Sequence, residues 1–382
     1  MKMKNLFLIL GLFISLIASA ENSMTLPEGR FRARMKPIYA FEFGSKFDET
    51  GNAVNLVKDL EVTLDIDLAS KLNPQLGAAM SAFGMDSLGS FAPSLKISSL
   101  VLGTALEYGL SNRLTLGLIA PIVSANSIYE LKFNKPDAVQ ANPLLGPVDF
   151  VKAAEDLAVE KGYQRPGNWE AFGLGDLELG LKYSFLRNDL LSLAVKSGLR
   201  LPTGRTDDPD NLTDLAFGDG QTDLGTTILA DYTGLPNTLI NGLLKYTVQL
   251  PDKQPLRLPS QGELFASNKE NIKRNLGDVL DAAIYAQYTF LTLFNVNTSY
   301  AYSFKQKDIY QSAEGLETTR LEDISAQQRH IADIGLGFST LPWVRQGTFS
   351  LPMELGVNLQ LPVSGKNVAK ATTVNLEYMV YF

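Results

Sequence analysis

The chain has 382 residues, a formal net charge of −7, no cysteine and a single histidine, His330. The acidic balance argues against nucleic acid, which attracts clustered positive charge. Lacking thiols and all but one imidazole, the chain offers no disulfide or thiolate metal site and few general-base schemes, so neither metal nor cofactor is expected.

The first segment has Lys2 and Lys4, an apolar run from Leu6 to Ile17, and the small-residue pattern Ala18-Ser-Ala20. This order of basic, apolar and small residues is that of a secretory signal peptide over residues 1–20, cut before Glu21. The run is shorter than the ~20 apolar residues a spanning helix needs. Beyond it no window is apolar enough for a membrane helix. Any membrane residence must then use β-structure in residues 21–382.

Twelve strands are predicted, at 31–44, 95–110, 113–124, 174–187, 190–202, 220–232, 238–250, 278–290, 293–305, 330–341, 347–361 and 370–382. Most alternate with period two. Leu177, Leu179, Leu181, Tyr183 and Phe185 oppose Asp176, Glu178, Lys182 and Ser184, and every odd position from Phe349 to Leu361 is apolar. Short connections such as Ser111-Asn112, Asn188-Asp189 and Leu291-Thr292 alternate with long ones at about 45–93, 125–173, 203–219, 251–277 and 306–329. Long–short alternation with an even strand number is the pattern of an all-β, antiparallel transmembrane barrel with short periplasmic turns. Aromatic residues should gather at the periplasmic rim, among them Tyr108, Tyr183, Phe185, Tyr232, Tyr288, Phe290, Phe294, Phe338, Trp343 and Phe349.

Two long outer loops show helical spacing. One contains Leu72, Leu76, Met80, Phe83 and Leu88, expected as an apolar receiving surface over the mouth or as a helix packed on its neighbours; the other spans 147–162. Thr203-Gly-Arg-Thr-Asp-Asp-Pro-Asp reads as a solvated turn in which calcium could bind. Alternation places Arg34, Lys36, Asp176, Glu178, Lys182, Lys196, Arg200, Asp223, Asp231, Lys245, Asp281, Asp333, Glu354 and Glu377 in the lumen, with Arg32 and Glu42 beside them. Catalysis is not expected. His330 lies between Arg329 and Ile331 with no serine at a useful spacing, and Asp207-Asp208 and Glu322-Asp323 read as solvated charges.

The last strand places Val374, Leu376, Tyr378, Val380 and Phe382 on one face. Lipid would cover that face and barrel closure would pair the edge. Here the sequence resembles outer-membrane β-barrels, in which a terminal strand ending in Phe is the signal read by the barrel-assembly machinery, through Tyr378, Val380 and Phe382.

A narrower resemblance rests on Gly173-Leu-Gly-Asp-Leu-Glu-Leu-Gly-Leu-Lys-Tyr183, Gly198-Leu-Arg-Leu-Pro-Thr-Gly204 and Gly218-Asp-Gly-Gln-Thr-Asp223. These segments resemble outer-membrane transporters grouped with the meta-pathway of phenol degradation, distantly similar to long-chain fatty acid transporters. The resemblance implies a bacterial outer-membrane location and diffusion of small apolar or aromatic solutes. A general polar porin and a structural or adhesive barrel with partner-binding loops are the alternatives. The expected partners are outer-membrane lipid and the solute, and a monomer is favoured. Fatty acid transporters carry an N-terminal plug, whereas only residues 21–30 precede the first strand here. Gating is therefore expected from outer loops or inward side chains.

Overall fold

The computed structural model describes residues 21–258 and 264–382. The predicted signal peptide lies outside the described residues. Twelve antiparallel strands form the barrel: β1 (Phe31–Phe43), β2 (Ser87–Ser111), β3 (Leu114–Asn134), β4 (Leu177–Arg187), β5 (Leu191–Leu201), β6 (Asp223–Leu235), β7 (Thr238–Gln249), β8 (Val279–Phe290), β9 (Phe294–Lys305), β10 (Gln327–Ser339), β11 (Met353–Lys366) and β12 (Thr373–Tyr381). Each pairs with its sequence neighbours, and β12 pairs with β1 through registers such as Arg32↔Tyr381 and Met35↔Tyr378. At the seam Phe31 and Phe382 exchange backbone hydrogen bonds of 2.7 and 3.0 Å, and their rings stack 5.6 Å apart. Closure satisfies the edge groups that lipid could not. No helix among the described residues is long and apolar enough to cross a membrane.

Alternation decides which side chains meet lipid. Met35, Leu116, Leu118, Leu179, Leu181, Leu244, Ile284, Ile334, Leu336, Leu355 and Leu376 are all exposed on the outer wall. So continuous an apolar girdle is stable in hydrocarbon and a liability in water. Around the short-turn rim the predicted aromatics touch in series: Phe290–Phe294 at 6.0 Å, Phe294–Phe338 at 5.2 Å, Phe338–Trp343 at 6.0 Å and Trp343–Phe349 at 6.1 Å.

Several boundaries differ from the sequence reading. β2 begins at Ser87 and β3 runs to Asn134, so this hairpin rises well beyond the neighbouring strands. Residues 87–93 and 125–134 also alternate, but Pro93, Glu130 and Lys132 resemble loop residues. β11 begins at Met353 rather than 347, because a short helix, Leu341–Arg345, occupies the preceding turn. Glu42 was expected inward. A bulge between Ala40 and Phe43 reverses the alternation there, and Glu42 instead pairs with exposed Lys96 at 3.0 Å. One extra residue in a strand sends every later side chain to the other face.

The outer loops build a cap. Asp65 caps helix α1 (Ile66–Leu72) by accepting from the Leu68 N–H. Asn73 caps α2 (Pro74–Phe83), which has Pro74 in its first turn and ends on Gly84 at φ 63°, a left-handed position that glycine occupies without penalty. Asp149 caps α3 (Phe150–Glu160) through the Lys152 N–H. Leu76, Met80 and Leu88 are buried with Phe91, Val139 and Phe150 in one core, and Leu72 packs against it. They therefore form no receiving surface; of the five residues proposed for it, only Phe83 is exposed. A pair of helices with apolar spacing buries that face wherever a neighbouring loop can cover it, and the α3 loop does so. Further small strands, Asp252–Leu258, Asn268–Asn275 and Ile309–Gln311, pair in the predicted loops 251–277 and 306–329.

Candidate functional site

The glycine-rich segments of the sequence converge on Asp176, just before β4. The Asp176 carboxylate accepts from the Gly204 N–H at 2.8 Å. Thr203 Oγ1 accepts from the Leu177 N–H at 3.0 Å and donates to the Gly175 carbonyl at 3.1 Å. A Cβ on Gly218 would lie 2.2 Å from the Asp176 carboxylate, and one on Gly175 would lie 2.9 Å from the Pro121 ring. These glycines let three chain segments pack at backbone contact. The junction also shifts register by one residue, from Ile119↔Glu178 to Ile122↔Leu174. It fixes the loop 203–219 over the outer end of the bore.

Beneath the cap lies a cavity of about 210 Å3. One wall is apolar, with Phe91, Leu95, Tyr129, Leu131, Leu256 and Leu264; another is charged, with Arg200, Asp219, Asp223, Lys245, Asp281 and Lys305. A second cavity of about 120 Å3 lies below it, lined by Glu21, Arg34, Lys36, Glu178 and Lys196 among others. Arg200, Asp223, Lys245, Thr247 and Asp281 line both cavities and so form the throat between them. Arg200 is held there by Asp223 at 3.0 Å and Glu178 at 3.3 Å.

Acids in the 203–219 loop do not gather around a point where calcium could sit. Asp208 accepts from Gln164 at 2.9 Å, Asp210 pairs with Arg257 and Lys269 at 2.7 Å each, and Asp214 pairs with Arg205 at 2.6 Å. Among the described residues no acidic or histidine cluster could hold a metal ion. Basic side chains were free to reach in from neighbouring loops, which sequence spacing does not reveal. Burial, followed by the adjacent Asp214 carboxylate, pushes the Asp207 carboxyl well above the usual carboxylate range.

The segment 21–30 enters the bore from the short-turn end, so loops and lumen side chains are not the only groups placed along it. Thr25 Oγ1 donates to the Asn112 carbonyl at 2.8 Å, the Leu26 N–H donates to Thr115 Oγ1 at 2.8 Å, and Gly29 N–H donates to the Gly109 carbonyl at 2.9 Å. A Cβ on Gly109 would lie 2.1 Å from the Pro27 carbonyl oxygen, so this wall position must be small for the segment to pass. Higher up, Ser23 is fully buried. Its N–H and hydroxyl donate to Asp231 Oδ2 at 2.8 and 2.7 Å, and Asn241 donates to the other Asp231 oxygen at 2.6 Å. Glu21 reaches Lys196 at 2.9 Å and Lys182 at 3.9 Å, and Lys182 also donates to the Asn22 carbonyl at 3.1 Å. Ten extended residues reach roughly 33 Å, enough to span the lower bore. The polar run Glu21-Asn-Ser carries no periodic signal, and its partners lie up to 220 residues away.

The fourteen candidate lumen residues from Arg34 to Glu377 are all buried or half-buried, but they fall into separate groups. Lys182, Lys196 and Asp231 bind the N-terminal segment. Glu178, Arg200, Asp223, Lys245 and Asp281 surround the throat. Asp176 holds the glycine junction. Arg34 lies 3.8 Å from Glu377, and with Lys36 lines the lower cavity. Glu354 accepts from the Tyr381 hydroxyl at 2.6 Å, and Asp333 is buried on β10. His330 Nδ1 lies 2.6 Å from the hydroxyl of exposed Tyr300. Glu322 accepts from the Tyr310 N–H at 3.0 Å.

No protein-family model and no curated protein matches the chain. Among solved structures, an outer-membrane channel from Pseudomonas putida F1 superimposes with a TM-score of 0.58 at 12% identity, over 96% of this chain and 100% of that one. The toluene transporter TbuX of Ralstonia pickettii aligns at 0.39 with 10% identity, over 95% and 92% of the two chains. A mutant of the monoaromatic hydrocarbon channel TodX aligns at 0.39 with 12% identity, over 94% and 92%. The first of these likenesses establishes a shared barrel fold.

Proposed function

We propose that the chain is a bacterial outer-membrane channel that passes small apolar or aromatic solutes by diffusion into the periplasm, after export by its signal peptide and insertion as a monomer. The observation that carries this reading is the amphipathic upper cavity, which opens at a charged throat onto a second cavity inside a closed bore. A solute that leaves water for the Phe91–Leu131 wall gains about 25 cal/mol per Å2 of apolar surface covered. It then descends its concentration gradient past the throat and the N-terminal segment. The resemblance of the glycine-rich segments to those of meta-pathway transporters favours the same reading.

Its test is uptake of matched aromatic and sugar probes by proteoliposomes with a lipopolysaccharide outer leaflet, which slows protein-free leakage. Faster aromatic uptake supports the proposal, and equal permeation of both refutes it. The mixed charges of the throat favour a second reading, a polar porin. That reading requires large ohmic conductance in planar bilayers.

A further inference from the structure

The cavity above the throat carries more carboxylates than cationic side chains. Asp223, Asp281 and Gln249 are 2%, 7% and 6% exposed, and all three line the upper cavity. Each has a buried oxygen, Oδ1 of either aspartate and Oε1 of Gln249, without a hydrogen-bond partner. Six aspartates line this cavity against four cationic side chains, whereas the lower cavity has five cations against four carboxylates. Of the upper cations, Arg200 is committed to Asp223, Arg274 to Asp252 at 2.7 Å, and Lys305 to Asp308. Lys245 stands across the ladder from Asp281 without an ion pair to it, and the buried Arg329 guanidinium also faces the Asp281 carboxylate. Buried acceptors without donors are costly, and a charge-assisted donor is their strongest complement. The facing Phe91 and Tyr129 rings add surfaces that attract a cation.

Building on the channel reading above, we infer that this compartment binds amphipathic organic ammonium ions, one protonated amine on an aromatic or alkyl body, in preference to carboxylates of the same shape. The ammonium donates to Asp281 and Asp223 at the throat, and the apolar body lies against the Phe91–Leu131 wall. Lys245 competes with the ammonium for the Asp281 oxygens.

Titration calorimetry of the full chain in detergent micelles tests this with 2-phenylethylammonium, 3-phenylpropionate and 2-phenylethanol at neutral pH. The ammonium should bind tightest. Asp281→Asn should weaken it about tenfold or more, and Lys245→Met should tighten it, while both substitutions move the alcohol less. Stronger binding of the carboxylate overturns the inference, as does an ammonium affinity indifferent to Asp281→Asn. The order of the three probes on the unaltered chain needs no variant to fold. Binding in the expected order without proteoliposome uptake of any probe would refute the channel reading and leave the binding preference standing.

Discussion

Replacing Asp231 with alanine should release the N-terminal segment from the bore. Asp231 is 4% exposed and accepts two hydrogen bonds from Ser23, at 2.8 and 2.7 Å. Hydrogen bonds to a charged group contribute about 1.5–3 kcal/mol each. The freed residues regain water and backbone freedom, so the lower end of the sum applies, about 3 kcal/mol. That corresponds to roughly a hundredfold rise in the undocked fraction. Because the chain has no cysteine, a single Leu26→Cys, at a position 6% exposed that bonds to the wall through its backbone N–H, gives a clean reporter. Labelling by a membrane-impermeant maleimide should accelerate roughly a hundredfold when Asp231→Ala is added, and by less with Asp231→Asn, which keeps one acceptor. A change below about threefold would refute the idea that these bonds hold the segment in place.

Four other outcomes follow from the same geometry. Gly218→Ala should force Asp176 off the Gly204 N–H and destabilise the barrel by about 1–3 kcal/mol, read as a lower temperature for loss of heat-modifiable migration on SDS gels. Ile228, 52% exposed on the outer wall, should cost about 2–4 kcal/mol as lysine, measured by denaturant titration in lipid vesicles. Phe382→Ala removes the ring stacked on Phe31 and should lower the fraction of folded barrel recovered from membranes. The Asp207 carboxyl is raised in the folded chain, so its contribution is complete below the ordinary carboxylate pKa and disappears as pH rises through the raised value. Hydrogen exchange in 203–219, corrected for intrinsic rate, should quicken over that rise, and Asp207→Asn should flatten the dependence.

The barrel was legible because two-residue alternation is local: Leu177 to Phe185 declare their outer face without reference to any other strand. The alternating short and long connections ordered those strands, and Phe382 marked the seam. The cap was less legible. Helical spacing at Leu76 and Met80 showed that an apolar face existed, yet whether it met solvent or another loop depended on Val139 and Phe150, more than fifty residues onward. The bulge at Phe41 and Glu42 left no mark on composition. The glycine segments could be recognised as a motif, but their reason, backbone contact around Asp176, exists only once three loops meet. Residues 21–30 were the largest omission. A polar segment that binds inside a polar bore needs no periodicity, so nothing in Glu21-Asn-Ser distinguishes it from a solvated tail.

Passage of solute along the bore can be tested most directly at Thr247, which is 6% exposed and lines both cavities. In a Thr247→Cys variant, the only thiol in the chain, attaching a bulky methanethiosulfonate should reduce aromatic uptake by proteoliposomes to the protein-free rate, and reduction of the mixed disulfide should restore it. Uptake that continues unchanged with the throat blocked would contradict an axial route through these cavities.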